Sequence, residues 1–185
     1  MIDDLLDVAR IAAGKLRLDM QPVDLIAITL AAVDVVGPSA RVKQIELRTS
    51  LDPRTPRVLG DHQRLQQIVW NLLSNAVKFT PRGGHVGVII KCEARRAAIR
   101  VADTGSGFPS HVLRSFGEPF RQGESGLARA YDGIGLGLAL VRTIAEVNGG
   151  EIALENPRGG GAAVTLVLNR AEARTANAST GASGV

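Results

Sequence analysis

Between Asp61 and Phe79 the chain reads as a single amphipathic helix resting on an apolar layer. Leu65, Ile68, Val69, Leu72, Leu73 and Ala76 recur at the spacing of one helical face, and Asp61 stands at the N-cap position. At about 100° per residue, Arg64, Gln67, Asn71, Asn75 and Lys78 fall within an arc of about 80° beside that stripe. Such residues most often face solvent and do nothing more. A sharper reading is also open, because two asparagines one turn apart and a lysine one turn further point the same way. A neutral amide oxygen is a modest ligand for a hard cation such as Mg²⁺, which keeps waters and takes other oxygens from phosphates. A lysine on the same face then meets a phosphate as a point charge.

The segments on either side alternate between helix and strand signals. Ile2, Leu5, Leu6, Ala9 and Ala12 or Ala13 mark a helix that Gly14 stops. It packs either on its own domain or as part of a longer coiled or bundled helix. Lys15 to Met20 alternates like a strand that Pro22 ends, and Asp24 caps a helix running from Leu25 to Gly37-Pro38. Strands are expected at Gln44 to Leu51, Val58 to Gly60, Val86 to Glu93, Ala97 to Ala102, Ile152 to Leu154 and Ala163 to Leu168. A short helix follows Pro109, and another fits Leu136 to Val147. The stretch from Gly117 to Gly133 is polar and aperiodic. Elements mixed in this order, with at least two hairpins, imply an α+β fold with helices packed on a mixed sheet. From Arg170 onward Ala, Ser, Thr and Gly leave little to pack, so a disordered tail or linker is expected.

Composition narrows the function classes. Aromatic residues are 3% of the 185, too few for stacking platforms that grip single-stranded nucleic acid. The net charge of +4 is spread over scattered Lys and Arg, with no run longer than a pair, so a polyanion-binding patch is not expected. A single cysteine, Cys92, excludes an internal disulfide or a cysteine-rich metal site and suits a reducing cytosol. No stretch approaches the ~18 continuous apolar residues of a spanning helix, so neither nucleic acid nor membrane contact is expected of this segment.

Two glycine clusters add chemistry. Asp103-Thr104-Gly105-Ser106-Gly107 follows an apolar strand. A carboxylate there can accept a hydrogen bond from an exocyclic amine, which separates adenine from guanine, and the glycines let the backbone approach a flat base. Asp-x-Gly also marks plain turns and calcium loops, though the further spaced ligands of a calcium loop are missing. Gly133-Ile134-Gly135-Leu136-Gly137-Leu138 opens a helix, whose exposed N–H groups and dipole favour a polyphosphate. It follows a polar loop rather than a strand and lacks a Gly-Lys-Ser/Thr ending, so neither the dinucleotide fingerprint nor a P-loop fits.

The order of these features resembles that of the histidine-kinase ATPase family. Asp61-x-x-Arg64-Leu65-x-Gln67-Ile68-x-x-Asn71-Leu72-Leu73-x-Asn75-Ala76-x-Lys78-Phe79-Thr80 is similar to its N box, and Phe116-Gly117-Glu118-Pro119-Phe120 to its phenylalanine box. Ile2-Asp3-Asp4-Leu5-Leu6-Asp7 through Leu16 resembles the end of its second dimerisation helix. The resemblance runs over about residues 1 to 169. It implies a two-layer α/β sandwich, a mixed and mostly antiparallel sheet on about three helices with a mobile ATP lid. That fold is shared with type II topoisomerase ATPases, heat-shock chaperones and mismatch-repair proteins.

By the same resemblance, residues 1–14 are the stub of a dimerisation and phosphoacceptor helix, 15–169 the ATP-binding catalytic domain and 170–185 the tail. Asn71 would ligate Mg²⁺, with Asn75 and Lys78 at metal and phosphates. Asp103 would read the adenine amine against Gly105, Gly107, Phe79 and Phe108. Gly133, Gly135, Leu136, Gly137 and Leu138 would complete the ATP site, and Arg129 in the lid would join Asn71 and Lys78 in catalysis. The implied partners are ATP, a phosphoacceptor histidine domain in cis or trans and a response regulator, in a cytoplasmic, homodimeric kinase.

Two local departures stand out. The phenylalanine box carries an extra Gly117, and Gly161-Ala162-Ala163-Val164 stands where the family often has Gly-x-Thr-Phe, so a threonine hydroxyl near adenine is missing. The histidines His62, His85 and His111 lack the acceptor context, so the segment alone is expected to bind nucleotide without autophosphorylating. A degenerate domain serving as a regulatory or partner-binding module is the alternative, and a serine kinase of the same fold a third reading.

Overall fold

The computed structural model describes residues 18–93, 95–117 and 135–171. Eleven elements follow in chain order: β1 (Met20–Val23), α1 (Leu25–Val42), β2 (Glu46–Leu51), β3 (Val58–Asp61), α2 (His62–Phe79), β4 (His85–Glu93), β5 (Arg96–Asp103), α3 (Ser110–Gly117), α4 (Gly135–Val147), β6 (Glu151–Glu155) and β7 (Ala163–Asn169). The expected N-terminal helix, the aperiodic stretch beyond Gly117 and the tail beyond Ala171 lie outside the described residues. Arg170 and Ala171, expected to begin the unpacked tail, instead stay tied to the fold: Arg170 bridges to Val58 and donates its N–H to the Arg95 carbonyl, and Ala171 donates to the Arg57 carbonyl.

Five strands form one sheet in the order β2-β4-β5-β7-β6. β2 and β4 run parallel and the other three pairings are antiparallel, so the sheet is mixed and mostly antiparallel, as expected. Register aligns its apolar rows: Val88, Val101, Val164 and Leu154 are successive partners, as are Ile90, Ile99, Leu166 and Ile152. Strand alternation sends these toward the helices, where Leu65, Ile68, Leu73, Val141 and Ile144 meet them in one buried core. Along β5 the inward series is Ala97, Ile99, Val101 and then Asp103, a carboxylate at the position of the next core residue.

α1 and α2 lie side by side and run the same way. Ala31 lines a groove with Gln63, while twelve residues on, Lys43 donates from Nζ to the Val77 and Lys78 carbonyls at 2.8 and 2.9 Å. Those carbonyls belong to the last turn of α2, which has no intrahelical donors left for them, and a cation there also complements the helix dipole. At the other end Asp24 and Asp61 cap the two helices, Asp24 accepting from Ile26 and Ala27, Asp61 from Arg64. Asn148 is buried and braces the second cap, accepting the Asp61 N–H at 2.8 Å while donating to the Ile144 carbonyl.

Three local expectations differ from the structure. The first strand spans Met20–Val23 and includes Pro22, which pairs with Leu59 in a separate two-stranded ribbon. Both of its strands are edges, so a residue without an N–H is tolerated. α1 continues through Gly37-Pro38 to Val42. Asp34 and Pro38 are both exposed, so water can take the Asp34 carbonyl that the proline leaves free, while buried Val36, Gly37 and Ala40 hold the chain helical. α1 also reaches a mean hydropathy of 1.6 over its 18 residues, long and apolar enough by composition to cross a membrane. Its packing on α2 and β2 makes it a layer helix of the core.

Candidate functional site

A cleft of about 230 Å³ opens between α2, the end of β5 and the start of α4. Its floor is apolar, with Leu72, Ala76, Val101 and Val164 among the lining residues. Asn75, Phe79, Asp103, Gly107, Phe108 and Leu138 of the expected site all line it. A flat apolar slot with one acid at its wall suits a planar heterocycle that carries an amine.

Asp103 is half-buried, and its hydrogen bonds are lopsided. Oδ1 accepts from the Gly105 N–H at 2.7 Å and from the Ala162 N–H at 3.3 Å. The Asp103 N–H in turn donates to the Ala162 carbonyl at 2.8 Å, so the strand end is tied to the turn before β7. Burial pushes the Asp103 carboxyl above the usual carboxylate range, against the pull of the two backbone donors. Both donors use one oxygen, and Oδ2 remains as the acceptor with which a ligand amine can pair.

Glycine is required at two points of this wall. A Cβ on Gly105 would stand 2.5 Å from the Phe79 carbonyl, and one on Gly161 only 1.8 Å from the Asp103 carbonyl. Gly161 also has φ +81, which side-chain-bearing residues rarely adopt. The loop after β5 is therefore pressed against both the end of α2 and the turn before β7.

The other expected residues that the structure describes lie around the cleft. Asn71 is half-buried one turn before Asn75 on the same stripe of α2, and Lys78 is exposed on the last turn, its Nζ 5.1 Å from the centre of the Phe79 ring. Neither lines the cleft itself. Gly135, Leu136 and Gly137 form the first turn of α4. Gly133 and Arg129 lie outside the described residues. Among the described residues no group of three His, Cys, Asp or Glu side chains is placed to hold a metal. The donor set beside the cleft is thus neutral amide, which fits a cation that arrives with phosphate oxygens and not one caged by protein carboxylates.

Over residues 60–172 the sequence matches the family described as histidine kinase-, DNA gyrase B-, and HSP90-like ATPase. The chain belongs to that family. Among curated relatives of this histidine kinase-like ATPase domain, the histidine protein kinase DivJ of Caulobacter vibrioides is 38% identical over 168 residues, 91% of this chain and 28% of that protein. The circadian input-output histidine kinase CikA of Synechococcus elongatus is 37% identical over 168 residues, 90% of this chain and 22% of its own length. The chain thus spans less than a third of either relative. Full-length ShkA, solved in complex with AMPPNP, superposes with a TM-score of 0.75 at 31% identity, covering 93% of this chain and 36% of that one. The catalytic domain of histidine kinase ThkA, 21% identical with a TM-score of 0.69 over 83% of this chain, shares the fold.

Sequence reasoning missed one residue that shapes the cleft. Asn156, beyond the end of β6, holds the backbone of Phe108 from both sides. Nothing local marks it, since its partner lies 48 residues away. Ala162 occupies only the unspecified position of the Gly-x-Thr-Phe comparison, where Ala163 is the departure, yet its N–H and carbonyl both engage Asp103, contacts that any side chain at 162 would leave in place.

Proposed function

We propose that this chain is the ATP-binding catalytic domain of a sensor histidine kinase, which binds Mg·ATP and presents the γ-phosphate to a histidine on a dimerisation domain. The observation that carries the reading is the half-buried Asp103 carboxylate in the wall of an apolar slot, with Oδ1 engaged by two backbone donors. Its Oδ2 suits the N6 amine of adenine and would face the O6 carbonyl of guanine, so the site selects adenine nucleotides. Gly105 and Gly107 let the base lie on the backbone, with Phe79, Phe108 and Leu138 around it.

From the slot, the Asn71–Asn75 stripe and Lys78 lead along α2 toward where the phosphates would run, and the first turn of α4 at Gly135 offers them N–H groups. Asn71 would ligate the Mg²⁺, with Asn75 beside it; the ion draws charge off the phosphate oxygens when bound. Lys78 supplies a cation to the same oxygens, and Arg129 and Gly133 are assigned to this end by the family motif. Transfer of a phosphoryl group needs mostly positioning and charge stabilisation, which is what these side chains supply. None of the three histidines has the acceptor's setting, so the phosphorylated residue belongs to a partner segment and a response regulator acts downstream. The reading makes residues 15–169 the catalytic domain of a cytoplasmic, dimeric kinase.

Calorimetric titration with a non-hydrolysable ATP analogue and Mg²⁺ tests this, comparing wild type, Asp103→Asn and Asn71→Ala. Binding in the wild type that Asp103→Asn weakens on the order of ten- to a hundredfold and Asn71→Ala makes independent of Mg²⁺ is the expected result. Absence of heat in the wild type would replace the kinase reading with that of a regulatory scaffold.

A further inference from the structure

β5 ends at Asp103, one residue before its hydrogen-bond ladder does. In an antiparallel pair, opposed residues on alternate rungs exchange both N–H···O=C bonds. His85 and Thr104 form the rung after Val86 and Asp103, and the Thr104 N–H donates to the His85 carbonyl at 3.1 Å. The bond in the other direction departs from the pattern. The His85 N–H donates to the Thr104 side-chain hydroxyl at 2.9 Å, where a continuing strand would present the Thr104 carbonyl. A hydroxyl thus closes the last rung in place of the backbone, and the chain is released to turn at Thr104.

That turn shapes the wall of the cleft. It carries Gly105 to where its N–H donates to Asp103 Oδ1 at 2.7 Å and where a Cβ would stand 2.5 Å from the Phe79 carbonyl. With Oδ1 held by that N–H, the direction of Oδ2 follows from the point at which the chain leaves β5. The anchor across the rung is itself fixed. The Glu46 N–H donates to the Gly84 carbonyl at 2.9 Å, and Glu46 Oε2 stands 2.9 Å from His85 Nδ1. Arg48 grips both oxygens of the same carboxylate. Valine has the shape of threonine without an acceptor. In its presence the His85 N–H would turn to the backbone carbonyl of residue 104, which lengthens β5 by a residue and draws the turn away from Phe79.

We propose that Thr104 is a positioning residue for base selection, its hydroxyl ending β5 at Asp103 and so aiming Oδ2 at the exocyclic amine of adenine. The inference rests on the reading of the cleft as an adenine-nucleotide site and adds to it the residue that sets the selectivity. Thr104 acts through Asp103 and not on the phosphates, whose proposed partners stand on α2 and α4.

The full chain and its variants Thr104→Val and Thr104→Ser are titrated calorimetrically, with Mg²⁺ and non-hydrolysable analogues of ATP and of inosine triphosphate. The inosine base presents a carbonyl where adenine has its amine. Wild type favours the adenine analogue. Thr104→Val binds it about three- to tenfold more weakly and holds the inosine analogue to within about twofold, so the preference narrows. Thr104→Ser keeps the acceptor and restores the preference. A preference in Thr104→Val equal to that of wild type overturns the proposal. So does an equal loss for both analogues, which would make the hydroxyl a support of the fold alone. Failure of Thr104→Ser to restore the preference also overturns it, because the methyl group would then be the active part. Thermal melts check that each variant is folded, and Thr104→Ala, which lacks the acceptor and adds no bulk, carries the same comparison should Thr104→Val not fold. A wild type that binds neither analogue removes the reading of the cleft itself, an outcome distinct from a wild type that binds both and a Thr104→Val that behaves the same.

Discussion

The side-chain amide of Asn156 brackets the backbone of Phe108: Oδ1 accepts its N–H at 2.8 Å and Nδ2 donates to its carbonyl at 2.9 Å. The amide does for the loop after β5 what a neighbouring strand would do. Asn156→Ala removes both bonds from an exposed position, so urea unfolding should show a loss of about 1–2 kcal/mol. Phe108 lines the cleft, and the same variant should bind the ATP analogue more weakly in calorimetry. Asn156→Asp keeps the acceptor and loses the donor, and should fall between the two.

Asp103→Asn separates binding from stability. The Gly105 and Ala162 donors keep an oxygen at the Oδ1 position, so the new NH₂ lands where Oδ2 was and, on the proposed reading, would meet the adenine amine donor to donor. That costs about 1–3 kcal/mol, on the order of ten- to a hundredfold in Kd by calorimetry.

The pH dependence of Asp103 has opposite signs for folding and for binding. Burial raises its carboxyl in the fold, so its contribution to stability is present below the usual carboxylate pKa and is lost as pH rises through the raised value. Ligand-free Asp103→Asn should therefore melt no lower than wild type at neutral pH, its relative advantage shrinking toward about pH 4. Analogue affinity of the wild type should run the other way, falling as pH drops through the raised value and the acceptor is protonated. Thermal melts and titrations over one pH series read both trends.

Gly160 and Gly161 form a matched pair. Both have φ near the left-handed region, +89 and +81, but a Cβ on Gly160 meets nothing within 4 Å whereas one on Gly161 runs into the Asp103 carbonyl. Gly160→Ala should lose only the backbone term, about 1–2 kcal/mol. Gly161→Ala must also push the turn off Asp103, with a total loss above about 3 kcal/mol and a weakened adenine site. Denaturant titrations of both variants give the comparison.

Lys43→Met removes the cation that closes the last turn of α2 while keeping an unbranched apolar stem. The two carbonyls return to water, so the expected loss is about 1 kcal/mol in urea unfolding. Hydrogen exchange should increase first in the turn that holds Lys78 and Phe79, ahead of the middle of the helix.

What the sequence made legible follows the range of the interactions. α2 was readable to the residue at its N-cap, because the Asp61 cap and the Leu65-to-Ala76 periodicity are local signals. Strand alternation likewise exposed β4, β5 and β7. Pro22 and Pro38 read locally as terminators, whereas an edge ribbon and an exposed carbonyl tolerate them. Asn156 was invisible because its role exists only once β6 and the loop after β5 are neighbours. In the cleft, Asp103 was identifiable from its place before two glycines, but its half-buried state depends on Ala162, 59 residues further on.

Asp103 faces the cleft because it follows Ala97, Ile99 and Val101 on the odd positions of β5, paired through Val88 and Val86 to the neighbouring strand. On the proposed reading, base recognition therefore depends on parity as much as on the carboxylate. One residue inserted or deleted between Arg96 and Ala102 would send the same aspartate out to water and put Ala102 or Thr104 in its place. Length changes that keep the carboxylate at the cleft come in steps of two, and a variant that broke that arithmetic would keep every motif letter while losing the proposed contact to the base.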